Sequence, residues 1–220
     1  DENIITVINN GRDKHLFSPK YDQDFKKQLF NATSANFPLF VYAGSIGPQY
    51  CFEEMMYVFE KVHQHFTDAR FLILTGQPDA VAQSLGSYGV LRESCLVKRV
   101  PSDEVPIYLS IANIAFALRR PTFSMKAVAP IKLGEYLLCG VPVIATKGIG
   151  DTELYIKDVA CAHLLNGLEI DQLNGSVQWC LKILSMATSN LREEARQIGE
   201  KFFDLDKTTG EYLNAIQTIG

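Results

Sequence analysis

The sequence holds no CxxC pair, no Cys2His2 spacing and no Ser/His/Asp set with a visible nucleophile elbow. These absences argue against a structural zinc site and a serine hydrolase. The five cysteines, Cys51, Cys95, Cys139, Cys161 and Cys180, are odd in number and sit mostly inside apolar runs. They read as buried free thiols of a reducing compartment, not as a disulfide framework. Long hydrophobic runs are also lacking. The longest candidate, VPIYLSIANIAFAL, is 14 residues, carries Pro106 and Asn113, and is too short to span a bilayer. There is no excess of basic charge either: the formal net charge is −4. That excludes a general attraction for nucleic acid or an anionic membrane surface, so any anion must be held by a local site. The opening DENIITVINNG has no basic n-region and no cleavage signal. It starts inside an apparent strand, so the expectation is a piece of a longer protein.

What the chain does contain is a repeated phrase: a short apolar run, a glycine or turn cluster, then an amphipathic helix. FPLFVYAG leads through SIGPQ to a helix with Phe52, Met55, Phe59, Val62 and Phe66 on one face. FLILTG precedes QPDAVAQSL, with Pro78 and Asp79 placed for a first helical turn. SCLVKRV, NIAFAL, VPVIAT and CAHLL each open a further such unit. Strands that are apolar nearly throughout, alternating with helices, predict an α/β fold with a doubly wound, Rossmann-like parallel sheet. We expect a single domain over residues 1–220, closed by helices over about 188–220. In such a sheet ligands sit beyond the carboxyl ends of the strands. Here those ends read Gly44-Ser45-Ile46-Gly47, Thr75-Gly76, Lys98-Arg99, Arg119-Arg120 and Lys147-Gly148-Ile149-Gly150-Asp151. Glycines and cations gather on one edge, as an anion-binding rim requires.

The most informative stretch is PIKLGEYLLCGVPVIATKGIGD, residues 130–151. Pro130 fits a first helical position, which leaves the amides of Ile131, Lys132 and Leu133 as open donors at the positive end of a helix dipole. Such an end suits phosphate. Lys132 is unfavourable in that first turn unless an anion lies between them. Glu135 falls three residues on, so lysine and glutamate project from one face. Gly134 costs about 1 kcal/mol against alanine within a helix, so something is expected to approach the backbone there. Gly140 stands at a C′ position and ends the helix. Two simpler readings stay open. Lys132 and Glu135 could be a solvated ion pair worth about 0.2–0.5 kcal/mol, and Gly134 could let the helix lie close to the sheet.

Other signals are weaker. His63-x-His65 lies on a helix, where residues two apart diverge, so metal chelation is not expected. Asp204-Leu205-Asp206 precedes the last helix and reads as a cap. Asp151 is a possible N-cap within GIGD, whose place at the strand edge also allows a ligand contact. Trp179 reads as core. Asn10-Gly11 suggests a tight turn through glycine's access to positive φ, or a loop that reaches a cleft.

At these residues a family resemblance enters. KLGEYLLCGVPVIAT resembles the EAMACGxPVI element of family 4 and related glycosyltransferases of the GT-B fold, and more closely the PxKxxEYLAxGxPVI form of bacterial polysaccharide enzymes. INNGRDKHLFSP is similar to their PNGVDxxxFxP segment, FVYAGSIG and FLILTGQPD to their glycine loops, and LVKRVPSDEVPIYLSIANIAFAL to their VxFxGxVxxxELxxxYxxADV stretch. The resemblance implies the C-terminal, donor-binding half of a GT-B glycosyltransferase, whose own N-terminal acceptor-binding domain this chain lacks. Its substrate would be a nucleoside diphosphate sugar, with no cofactor and no required metal. It also implies cytoplasmic residence, with peripheral membrane contact, at the inner face, through the absent half. Glu135 would meet ribose hydroxyls; Ile131, Lys132, Leu133, Gly44 and Ser45 would face the diphosphate; Val97, Lys98 and Arg99 would line the nucleobase. Catalytic groups would lie mainly on the missing half.

Two departures from the family pattern stand out. The first glutamate of a common Glu-x7-Glu pair is replaced by Ala127, which leaves sugar placement and stereochemical outcome open. Ser45 and Cys51 stand where Arg and Lys often bind the diphosphate, and Lys132, Lys126, Arg119 or Arg120 could supply that charge instead. Competing readings are a nucleotide-sugar epimerase and a non-catalytic nucleotide-sugar sensor or interaction module.

Overall fold

The structure is a computed structural model that describes residues 8–219. The strand expected in the opening residues lies outside them. Six strands appear where the apolar runs predict them: β1 (Leu39–Ala43), β2 (Arg70–Leu74), β3 (Cys95–Lys98), β4 (Ile114–Ala117), β5 (Val143–Thr146) and β6 (Ala162–Leu165). All pair in parallel, in the order β3-β2-β1-β4-β5-β6. The chain builds outward from β1 to one edge and then returns to the other side of β1. The winding therefore reverses between β1 and β4, which is where a crevice opens in such sheets.

The strands are mostly apolar because both faces of the sheet are covered, and their polar residues stand at strand ends (Arg70, Lys98, Thr146) or on the edge strand β6 (His163). Successive side chains alternate between layers: Leu39 and Val41 enter one core, Phe40 and Tyr42 the other, and Leu72 and Leu74 part from Phe71 and Ile73 in the same way. Helices α2 (Phe52–His63), α3 (Pro78–Leu85) and α7 (Ile170–Leu184) cover the Phe40 face. Within α2, Met55, Phe59 and Val62 are fully buried as the periodicity requires. Helices α4 (Val105–Ser110), α5 (Ile131–Leu138), α6 (Thr152–Ile156) and α8 (Ser189–Phe202) cover the Leu39 face, and α9 (Leu205–Ile219) follows α8.

The sequence pattern did not reveal α1 (Gln23–Leu29), because its buried face carries a charge. Lys26 is 3% exposed and donates to the Phe37 carbonyl at 2.7 Å and to Asn113 Oδ1 at 3.2 Å. The same Asn113 oxygen accepts from the Leu39 amide at 2.9 Å. The polar residue that interrupts an apolar run thus ties α1 to the foot of β1. The five cysteines are free, and Cys51, Cys139, Cys161 and Cys180 are buried.

Glycine sets the packing of α5. A β-carbon on Gly134 would fall 2.4 Å from the Phe203 ring, and one on Gly199 of α8 would fall 2.6 Å from the Leu138 amide nitrogen. The close approach expected at Gly134 is therefore made by the turn between α8 and α9. It is neither a ligand nor the sheet. The helix ends in a Schellman motif, with the Gly140 amide on the Leu137 carbonyl and the Val141 amide on that of Tyr136.

Candidate functional site

A cleft of about 860 Å³ opens beyond the carboxyl ends of β1 and β4. Its walls come from the β1 loop (Tyr42–Ser45), the β4 loop (Ala117–Arg119), the loop after β3 (Arg99 to Asp103) and the start of α5. Four cations, Arg12, Arg99, Arg119 and Lys132, border it against two carboxylates, Asp103 and Glu135. A net positive mouth on a chain of charge −4 is a local anion site of the kind the overall charge cannot provide.

The start of α5 is built differently from the sequence expectation. Pro130 is the N-cap, not the first helical residue. The Ile131 amide closes a tight turn onto the Ala129 carbonyl at 2.9 Å and is not an open donor. The Lys132 and Leu133 amides meet no protein acceptor among the described residues, so two N–H groups of this helix end remain for a ligand.

Lys132 and Glu135 both border the cleft but do not pair with each other. Lys132 is half-buried, with Nζ 4.7 Å from the Tyr42 ring centroid and 4.6 Å from that of Tyr50, and donates to Tyr42 Oη at 3.1 Å. Tyr42 Oη in turn donates to the Ser45 carbonyl. A β-carbon on Gly44 would fall 1.8 Å from Nζ, so only glycine leaves room for the ammonium at this loop. Burial, and then the neighbouring Arg119, bring the Lys132 pKa down to about 8; Glu135 opposes them. Glu135 accepts instead from Arg12 Nε at 2.9 Å, with side-chain exposures of 18% for the glutamate and 30% for the arginine. The solvated Lys–Glu pair considered from sequence is absent, because each member has a tertiary partner.

Of the residues named from sequence, Gly44, Ser45, Arg99, Arg119, Ile131, Lys132, Leu133 and Glu135 converge on the cleft. Four do not. Val97 is half-buried and packs against the core layer on the Phe40 face. Lys98 ends the β3 ladder, where its carbonyl takes the Thr75 amide at 2.9 Å, and the lining loop begins one residue later. Arg120, past the end of β4, pairs its guanidinium with Glu54 at 2.7 Å outside the cleft. Lys126 is exposed, with Nζ 5.9 Å from the Phe123 ring centroid, and borders a neighbouring pocket of about 510 Å³ together with Ala127 and Asp151.

Sequence reasoning missed Arg12, Tyr42 and Tyr50. Tyr42 sits in an apolar strand and gives no polar signal of its own. Arg12 lies beside the Asn10-Gly11 step. Gly11 is not at positive φ. It is required because a β-carbon there would fall 2.6 Å from Leu205 Cα, so the step is a docking point for α9. Asp204 accepts from the Asp206 amide and from Lys14 Nζ at 2.8 Å, a cap and an ion pair together. Asp151 occupies the N-cap of α6 without a side-chain cap bond. His63 and His65 bond Ser94 and the Lys61 carbonyl separately. Trp179 is half-buried against the Phe40 layer. Among the described residues no group of three or more His, Cys, Asp or Glu is placed to hold a metal, and no helix is long and apolar enough to cross a membrane.

The fold has close counterparts among solved structures. A glycosyltransferase from Rickettsia africae superposes with a TM-score of 0.80 at 17% identity, over 100% of this chain and 58% of that one. Anabaena Alr3699/HepE, solved in complex with UDP-glucose, gives 0.69 at 19% identity, over 97% of this chain and 57% of that one. The C-terminal domain of a glycosyl transferase group 1 family protein from Francisella tularensis gives 0.64 at 16% identity, over 87% of this chain and 96% of that domain. The chain thus spans under three-fifths of the first two solved chains and nearly all of the third, an isolated domain. No curated protein sequence matches it. The model of glycosyl transferases group 1 matches residues 20–201, most of the chain, and this chain belongs to that family.

Proposed function

We propose that the chain is the donor-binding half of a glycosyltransferase, and that a nucleoside diphosphate sugar occupies the cleft between the β1 loop and α5. The observation that carries this reading is the placing of Lys132 and Glu135. One helix presents a partly desolvated cation beside two open amides and, one turn further, a carboxylate with an oxygen to spare. The diphosphate belongs against Lys132, Arg119 and the amides of Lys132 and Leu133. The ribose hydroxyls belong against Glu135, and the base toward Arg99 and Val100. Fixed cations and amides at the leaving diphosphate stabilise the charge that develops as the glycosidic bond breaks. The acceptor, and the groups that act on it, belong to an N-terminal half outside this chain.

Calorimetric titration with UDP, GDP, ADP and their sugars tests the proposal. A preference for one nucleotide is expected. Lys132→Met and Glu135→Gln should each weaken it by about tenfold or more, the loss of one charge-assisted contact. No binding of any of them would favour the interaction-module reading.

A further inference from the structure

Arg12 lies in the INNGRDKHLFSP segment, to which no donor contact was assigned, yet its guanidinium borders the same cleft as Glu135. Its backbone is held on both sides: the Arg12 amide donates to the Phe203 carbonyl at 2.7 Å, and the Leu205 amide donates to the Arg12 carbonyl at 3.0 Å. The residue is thus clamped to the junction of α8 and α9. Phe203 of that junction also packs on Gly134, one residue before Glu135. From this clamp the side chain reaches Glu135 by a single contact, Nε to Oε1 at 2.9 Å, while Nη1 donates to the Gly11 carbonyl at 3.2 Å. The geometry is end-on, with one guanidinium nitrogen meeting one carboxylate oxygen. Guanidinium has five N–H donors, so three remain, and among the described residues they meet no protein acceptor. The carboxylate likewise keeps Oε2 free of protein donors among the described residues.

We propose that Arg12 is a specificity-determining residue of the donor site: Glu135 Oε2 accepts a hydrogen bond from one ribose hydroxyl while an outer N–H of Arg12 donates to the oxygen of the adjacent hydroxyl. A vicinal diol suits this arrangement, because each hydroxyl both donates and accepts. A carboxylate alone offers only acceptors; the carboxylate and guanidinium together match both roles and position each other. A ligand lacking the two hydroxyls leaves a charged donor and a charged acceptor without it, so the pair selects ribonucleotides against their dideoxy forms.

The inference rests on the donor-site reading above, and the experiment separates the two. Wild type is titrated with UDP, GDP and ADP, then with the 2′,3′-dideoxy form of whichever binds most tightly. Arg12→Met, which keeps an apolar stem of similar reach, and Arg12→Gln, which keeps an N–H donor, are measured alongside, with thermal melting to establish that each is folded. The expected result is a loss of about tenfold for Arg12→Met on the ribonucleotide, little or no loss on the dideoxy form, and a smaller loss for Arg12→Gln. Equal losses on both ligands would make Arg12 a general phosphate or packing contact and overturn the inference while leaving the donor site standing. Tighter binding by Arg12→Met would make Arg12 a competitor for Glu135 and also overturn it. If wild type binds none of the nucleotides, the donor-site reading itself falls and takes this inference with it.

Discussion

Lys132 is the residue where sequence, packing and chemistry meet most tightly. A lysine in the first turn of a helix opposes the dipole, and a lysine under two tyrosine rings has lost part of its hydration. Both costs are relieved when an anion arrives. The ring faces of Tyr42 and Tyr50 attract the ammonium, and the Tyr42 hydroxyl holds it beside Gly44, so it waits at the cleft wall and not in bulk water. Its pKa of about 8 gives the site a pH dependence. Below that value the ammonium is present to attract the diphosphate proposed above; as pH rises through about 8 the free protein loses the charge and would have to regain a proton to bind. Nucleotide affinity should therefore fall above pH 8, by at most about tenfold per pH unit for one linked proton. Calorimetry between pH 7 and 9.5 measures it, and Lys132→Met should flatten the profile. A decline of the same steepness in that variant would assign the titration to another group.

At the scale of elements, α5 works because it is pressed between the sheet and α8. Two glycines permit this, and they differ in what they face. Gly134 meets the Phe203 ring, a side chain held at 2% exposure, whereas Gly199 meets the backbone of Leu137 and Leu138, which has no rotamer to change. Alanine gains about 1 kcal/mol of helix propensity at either site, but overpacking a filled interface costs about 1–3 kcal/mol. Both substitutions should destabilise, Gly199→Ala more, read as a lowered urea midpoint at unchanged slope. Gly199→Ala should also weaken nucleotide binding, since the helix that carries Lys132 and Glu135 must move. Much of this element was legible in the sequence: the helix span, the Gly140 terminus, and the facing of Lys132 and Glu135 toward one mouth. Its surroundings were not. Nothing local in PIKLGEYLL says that Tyr42 takes the lysine, Arg12 the glutamate and Phe203 the glycine, because all three partners are tens of residues away. The same limit explains Arg120 and α1. Nothing local past the end of β4 says which of two adjacent arginines turns inward, and a helix that buries a lysine against a carbonyl and an asparagine looks like a polar loop.

Across the whole molecule, the buried titratable groups set an alkaline limit on stability. Burial pushes the thiols of Cys51, Cys95 and Cys139 up to about 12 and those of Cys161 and Cys180 higher still. Unfolded thiols ionise near pH 8.5–9. Above that pH the native state keeps protons that the unfolded chain gives up, so each of these five thiols reduces stability as pH rises, by about 1.4 kcal/mol per pH unit. Lys26 and Lys132 act in the opposite sense, because burial lowers both to about 8. Between pH 8 and 10.5 the native state has shed lysine protons that the unfolded chain still holds, and stability gains at a similar rate for each. Two lysines begin to titrate first and five thiols then outnumber them. The buried Tyr136, also pushed up by burial, adds to the loss above pH 10. The free energy of unfolding by urea should therefore hold or rise slightly to about pH 9 and fall steeply beyond it. Cys180→Ala lowers the baseline by leaving a small cavity, but it removes one of the five opposing thiols, so its decline above pH 9 should be shallower than that of the parent protein. Parallel declines in the two proteins would mean that surface charge, and not the buried thiols, governs the alkaline limit.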